Sequence, residues 1–289
     1  MYRGTASAGR DSLQRAVVRV YIWLLTVNGP FIPVNSPGTR MPTLTLLGRP
    51  VLADDGDVIV YGRPVQRHCL ALLALLAGER RGLSRDRIVG YLWPESDSRT
   101  ARHRLSVALH VVRQRLGEHG ILSHGDALAL DAGRWQVDTW SFGDDAARGD
   151  FAGALARYHG PLLDGFFLRG TPAFEHWLEL WRDRLARRHL ALLDALAQEA
   201  ERSGDLDACV AFRRELIARE PCSGARTVAL MRSLAAAGHA DGAIRCSRAY
   251  AVMVRDEYGL EPDPAVLACA NSLAAPRHPR ERAARDGTG

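Results

Sequence analysis

The 289-residue chain is 47% hydrophobic and 25% charged, which suits about two soluble domains with real cores. The net charge is +5, and all 38 basic residues are arginine; the absence of lysine excludes a lysine phosphate loop and a Schiff-base lysine. The cysteines at 69, 209, 222, 246 and 269 lack CxxC or paired-histidine spacing, which speaks against a zinc site and for reduced thiols in a cytoplasmic protein.

Residues 1–40 read as a poorly ordered N-terminal extension. The apolar run at 17–27 is broken by Arg19, and its uninterrupted part, 20–27, is too short to span a bilayer. No small-x-small cleavage site precedes Asn28-Gly29-Pro30, so a signal peptide is not expected either. An arm packed on the body and a natural start at Met41 are the other readings.

From Pro42 the texture changes. Residues 43–48 (TLTLLG) and 58–61 (VIVY) read as short strands on either side of a turn-rich ADDGD. Residues 64–77 then read as a helix ending at Gly78. Ser84 is a good N-cap for a second helix over 85–92, and Pro94 stops it.

A third helix is expected over 98–117, SRTARHRLSVALHVVRQRLG. Ala101, Leu105, Ala108, Leu109, Val112 and Leu116 recur at three- and four-residue steps and form a stripe to bury. Arg99, His103, Ser106, His110 and Gln114 occupy the opposite side, flanked by Arg102 and Arg113. By itself this is either a solvated amphipathic helix or a DNA recognition helix.

Context favours the second reading. Residues 121–123 and 127–130 flank His124-Gly125-Asp126 as a hairpin, so strands, three helices and a hairpin follow in order. That is the order of a winged helix-turn-helix, whose third helix enters the major groove. The local charge agrees, because residues 62–120 hold 11 arginines and 5 acids. Arg99, Arg102, His103, Ser106, His110 and Arg113 are the candidates for base edges. Arg85, Arg87 and His124 are the candidates for phosphates. Arg104 and Arg115 flank the buried stripe and either pack or pair with acids.

Residues 141–275 are helical by pattern, with one helix expected over 144–158, a break at Gly160-Pro161, and a long amphipathic stretch over 172–202. Gly204 and Gly238 stand 34 residues apart, and each is followed five residues later by a small residue, Cys209 and Ala243. Thirty-four is the tetratricopeptide period, and Gly149-Asp150 with Ala154 echoes the device. A plain helical bundle is the alternative. Trp177 and Trp181, one turn apart, read as core of this helical domain.

Several phrases in order resemble the SARP-type bacterial transcriptional regulators over about residues 43–273. They include LTLLGRPVL (44–52), RHCLALLALLA (67–77), LSRDRIVGYLWP (83–94) and ARHRLSVALHVVRQRLG (101–117). The second half contributes ALARYHGPLLDGF (154–166), FEHWLELWRDRL (174–185), LMRSLAAAGHADGAI (230–244) and YGLEPDP (258–264). The resemblance implies a mainly α protein. An OmpR-like winged helix-turn-helix over 41–140, with a small sheet, three helices and a hairpin wing, would precede an all-α tetratricopeptide-like activation domain over 141–275. Residues 276–289 would be a disordered tail.

The resemblance also implies an activator that binds repeated sites on double-stranded promoter DNA as a homodimer and recruits RNA polymerase. Trp93, Pro94, Glu95, Ser96 and Asp97 fall where OmpR-like domains can touch polymerase. Gly224 departs from the family, which usually has an acidic or helix-favouring residue at that helix start, and should weaken the helix. The chain lacks the ATPase domain of larger members and any receiver domain. No catalytic motif stands out, so no enzyme, cofactor, metal or membrane partner is expected. A protein-interaction adaptor whose winged helix does not read DNA is the alternative function.

Overall fold

The computed structural model describes residues 41–54, 57–59, 64–116 and 120–275. The expectations for the leader (1–40) and the tail (276–289), and for the side chains of Arg115 and Leu116, lie outside the described residues. The chain divides into two compact units at Leu192/Leu193.

The first unit opens with β1 (Thr43–Thr45), β2 (Val51–Asp54) and β3 (Asp57–Ile59). Together with β7 (Gln136–Val137) they form a sheet in the order β3-β2-β1-β7, antiparallel except where β1 meets β7. Leu44 pairs with Leu52 on one side and Val137 on the other, and all three are buried. Strand β1 is shorter than the expected 43–48. The amides of Leu46 and Leu47 turn instead to the Asp138 carboxylate, at 2.8–2.9 Å. Beyond them Gly48 N donates to Pro161 O and Leu163 N to Leu46 O. A two-residue strand such as β7 carries too little alternation to be read from sequence.

Helix α1 (Pro64–Gly78) is the centre of this core. Every residue from Cys69 to Ala77 is buried, as expected of a helix that is apolar all round. It stops at Gly78, where an added Cβ would lie 2.7 Å from the Trp177 ring. Trp140 Nε1 donates to Ala77 O at 2.7 Å, and Arg80 grips Asp144 with two 2.8 Å bonds. Trp177 is therefore buried, but beside the end of α1 in the first unit, and Trp181 is half-buried, so neither simply fills a core of the later helices.

Strand β4 (Leu83–Ser84), helix α2 (Arg85–Leu92) and helix α3 (Ser98–Leu116) follow. Strands β5 (Ile121–His124) and β6 (Ala127–Leu130) complete a second sheet in the order β4-β6-β5. Its hairpin turns at Gly125-Asp126. Sheet, three helices and hairpin form the winged helix-turn-helix.

The single helix expected over 144–158 is two: α4 (Asp138–Ala147) and α5 (Phe151–Leu155). Gly149 takes φ +80° between them, and Asp150 caps α5 by accepting from Gly153 N at 2.9 Å. A left-handed residue cannot continue a helix, so the echo of the repeat at Gly149 was the better guide. Helix α6 (Pro172–Ser203) matches the expected long stretch.

The second unit takes in the end of α6, then α7 (Leu206–Arg219), α8 (Gly224–Ala236), α9 (Ala240–Tyr258) and α10 (Pro264–Ala274). Gly204 and Gly238 sit at the same point of two helical hairpins, with φ +79° and +82°. Cys209 and Ala243, five residues on, are fully buried, so small side chains let the paired helices approach. Val210, Leu230, Met231, Leu234, Tyr250, Val254 and Val266 fill the core around α8.

Candidate nucleic-acid interface

Helix α3 begins where Asp97 accepts from Arg99 N (3.1 Å) and Thr100 N (3.0 Å). That capping, led by the Thr100 amide, holds the Asp97 carboxyl below its ordinary range. No acid follows within the helix, so its charge is wholly basic.

Its two faces separate as the periodicity requires. Ala101, Leu105, Ala108, Leu109 and Val112 are buried against the rest of the unit. Arg99, Arg102, His103, Ser106, His110 and Gln114 are exposed, and Arg113 is half-buried. On a 100° wheel the six candidate base readers fall within one continuous arc. The exposed Arg104 lies outside that arc and donates to Ser96 Oγ at 2.9 Å.

Neighbouring elements frame this face. Ser84 caps α2 by accepting from Arg87 N at 3.3 Å, and Arg85 N donates to Asp126 O in the wing turn at 3.0 Å. These bonds set the start of α2 beside the wing, with Arg87 and His124 exposed and Arg85 half-buried. Ser84→Ala should remove about 1 kcal/mol of stability, read by urea unfolding. All six tryptophans lie at or before position 181, so their fluorescence reports the first unit.

Two candidate arginines already have partners. Arg102 Nη2 lies 3.0 Å from Asp86 Oδ1, and Arg113 Nη2 donates to Ser123 Oγ at 3.4 Å. Ser106 Oγ donates back to Arg102 O at 3.0 Å, a common arrangement for a helical serine. The sequence reading missed Asp86. Its position in the first turn of a helix beside a basic helix was the available signal.

The loop over residues 93–97, expected to face polymerase, is divided in its structural roles. Trp93 is buried and stacks on His68, with ring centroids 5.3 Å apart and planes 5° from parallel. Asp97 serves as the cap, Ser96 is half-buried, and Pro94 and Glu95 are exposed. Among the described residues, no group of three or more His, Cys, Asp or Glu side chains is placed to hold a metal ion. No described helix is long and apolar enough to cross a membrane.

Residues 142–273 match the family model of the bacterial transcriptional activator domain. With a winged helix in front of that domain, the arrangement is the one that the sequence phrases imply. The chain carries a bacterial transcriptional activator domain. The solved structure of Mycobacterium tuberculosis EmbR in complex with a low-affinity phosphopeptide is similar, at 21% identity and a TM-score of 0.59. The match covers 81% of this chain and 65% of the EmbR chain, and at that identity it speaks for the fold alone. No curated protein matches the chain.

Proposed function

We propose that this chain is a transcriptional activator that binds repeated sites in double-stranded promoter DNA and recruits RNA polymerase. The observation that carries the reading is the exposed, acid-free face of α3, framed by the start of α2 and the wing. In this reading residues 41–140 recognise DNA and residues 141–275 engage the transcription machinery. Arg99, Arg102, His103, Ser106, His110 and Arg113 face base edges, and Arg85, Arg87 and His124 face phosphates. The exposed Pro94 and Glu95 are the polymerase-facing part of the loop. A homodimer on direct repeats, acting in the cytoplasm, completes the proposal, which assigns no reaction and no cofactor.

The test is binding to random-sequence duplex DNA and to fragments of the chain's own upstream region, across a salt series. Wild-type protein should enrich a defined site and bind it less tightly as salt rises, because each neutralised phosphate releases counterions. Arg99→Ala should cost about 1–3 kcal/mol and relax one position of the site. Arg87→Ala should weaken all sequences alike and lower the salt slope by about 1. If wild-type protein enriches no sequence, the adaptor reading replaces this one.

A further inference from the structure

Helices α2 and α3 together carry seven arginines and one acid, Asp86. On a surface that meets phosphates, a carboxylate lowers affinity for every sequence. Asp86 is nonetheless exposed, and its carboxylate reaches across from the first turn of α2 to Arg102 on α3. The pair stands in the open, with 65% of the Arg102 side chain and 69% of the Asp86 side chain exposed. Exposed pairs of this kind contribute little to folding. Asp86 also favours the start of α2 from its first turn, but that role needs no contact with Arg102.

Resting on the DNA-binding reading above, we infer that Asp86 is a positioning residue that braces Arg102 to read one guanine. Arginine pairs with guanine through two N–H groups, and that requires the guanidinium plane to be held in one orientation. A free arginine loses rotamer freedom on binding; a braced one has already lost part of it. The single 3.0 Å contact uses one of five guanidinium N–H donors, which leaves a two-donor edge for O6 and N7. The Ser106 hydroxyl, one helical turn along, donates to Arg102 O and leaves the guanidinium free for that edge. Asp86 also discriminates by repulsion. Where the facing base offers no partner for Arg102, the carboxylate stays close to the duplex without compensation.

The experiment selects sites from random-sequence duplex DNA with the full chain. It then measures every single-base-pair variant of the selected site with wild type, Asp86→Asn, Asp86→Glu, Arg102→Ala and Asp86→Asn/Arg102→Ala. Both side chains are exposed, and circular dichroism checks that each variant folds. Arg102→Ala should reduce preference at one guanine about tenfold. Asp86→Asn should reduce preference at that same base pair by about threefold while tightening binding to unrelated DNA. Asp86→Asn should add nothing in the Arg102→Ala background, and Asp86→Glu should keep the preference.

Three outcomes overturn the inference while leaving DNA reading intact. The Asp86→Asn profile could match wild type although Arg102→Ala changes it, in which case the pair is idle. Asp86→Asn could act at a different base pair, or add to Arg102→Ala, in which case Asp86 reads a base itself. Arg102→Ala could change no base pair, so that Arg102 has nothing to be braced for. Failure of wild type to enrich any sequence overturns the DNA-binding reading, and this inference with it.

Discussion

Near pH 5, replacing Asp138 with alanine should destabilise the first unit by about 3 kcal/mol, seen as an earlier tryptophan transition in urea. The carboxylate accepts from Leu46 N and Leu47 N at 2.8 Å and from Thr139 N at 2.7 Å. Alanine leaves those three amides without an acceptor, in a place where the backbone has no strand to turn to. An unsatisfied buried amide costs about 1–3 kcal/mol, and partial access of water at this junction keeps the sum toward the low end.

The same residue makes stability depend on pH. Burial pushes the Asp138 carboxyl up from 3.8 to about 6, outweighing the three amides and Arg157, which pull it down. The folded state therefore keeps its proton up to about pH 6, while the unfolded chain releases it near 3.8. Between those values the folded state binds more protons, so stability from this group falls as pH rises. The contribution is complete below the unfolded value and is lost through pH 6, with an upper bound of about 3 kcal/mol. Asp138→Asn should abolish this slope, and Asp138→Ala should cost more at pH 5 than at pH 7.5. A wild-type-minus-variant stability difference that stays flat from pH 4 to 7 would sink the assignment.

Gly224→Ala should destabilise the second unit by about 2 kcal/mol, against the rule that alanine improves a helix. Gly224 is buried at the first position of α8. An added Cβ would meet Asp263 Oδ2 at 2.2 Å and Asp263 Cβ at 2.5 Å. The second contact is the decisive one, because turning the carboxylate away does not relieve it. Asp263 also caps α10 through Ala265 N at 2.8 Å, so displacing it loosens a second helix. Gly90, exposed within α2 with open space around it, is the control: Gly90→Ala should gain about 0.5–1 kcal/mol. Circular dichroism in urea reads both, and the tryptophan transition should move for Gly90→Ala alone. A stabilised Gly224→Ala protein would refute the close approach. Glycine at this position is thus a packing requirement and not merely a weak helix start.

Much of the architecture was legible in the sequence because its signals are local. The cap at Ser84, the stop at Trp93-Pro94 and the start after Asp97 lie within one turn of the ends they set. The apolar steps of residues 101–112 established which face of α3 is buried, since a 3.6-residue period needs no knowledge of the neighbours. The 34-residue spacing of Gly204 and Gly238 likewise marked equivalent turns. The helix expected over 144–158 failed for the opposite reason: its apolar steps continue across Gly149, and only the backbone conformation there breaks it.

The interface was legible in part. Exposure of Arg99, His103 and His110 follows from the wheel alone. The Asp86–Arg102 pair, the Arg113–Ser123 bond and the burial of Trp93 against His68 do not, because each joins different elements.

The sequence by itself determined the helices, their buried and exposed sides and the order of a winged helix followed by helical hairpins. Only the tertiary structure decided that β1 ends on Asp138, 92 residues away from Leu46, and that Gly224 must stay small beside Asp263. It also decided which arginine of α3 is held by an acid. Periodicity records the angle of a residue around its own helix. Which side chain it meets is set by how helices and strands pack, and that depends on the whole core at once.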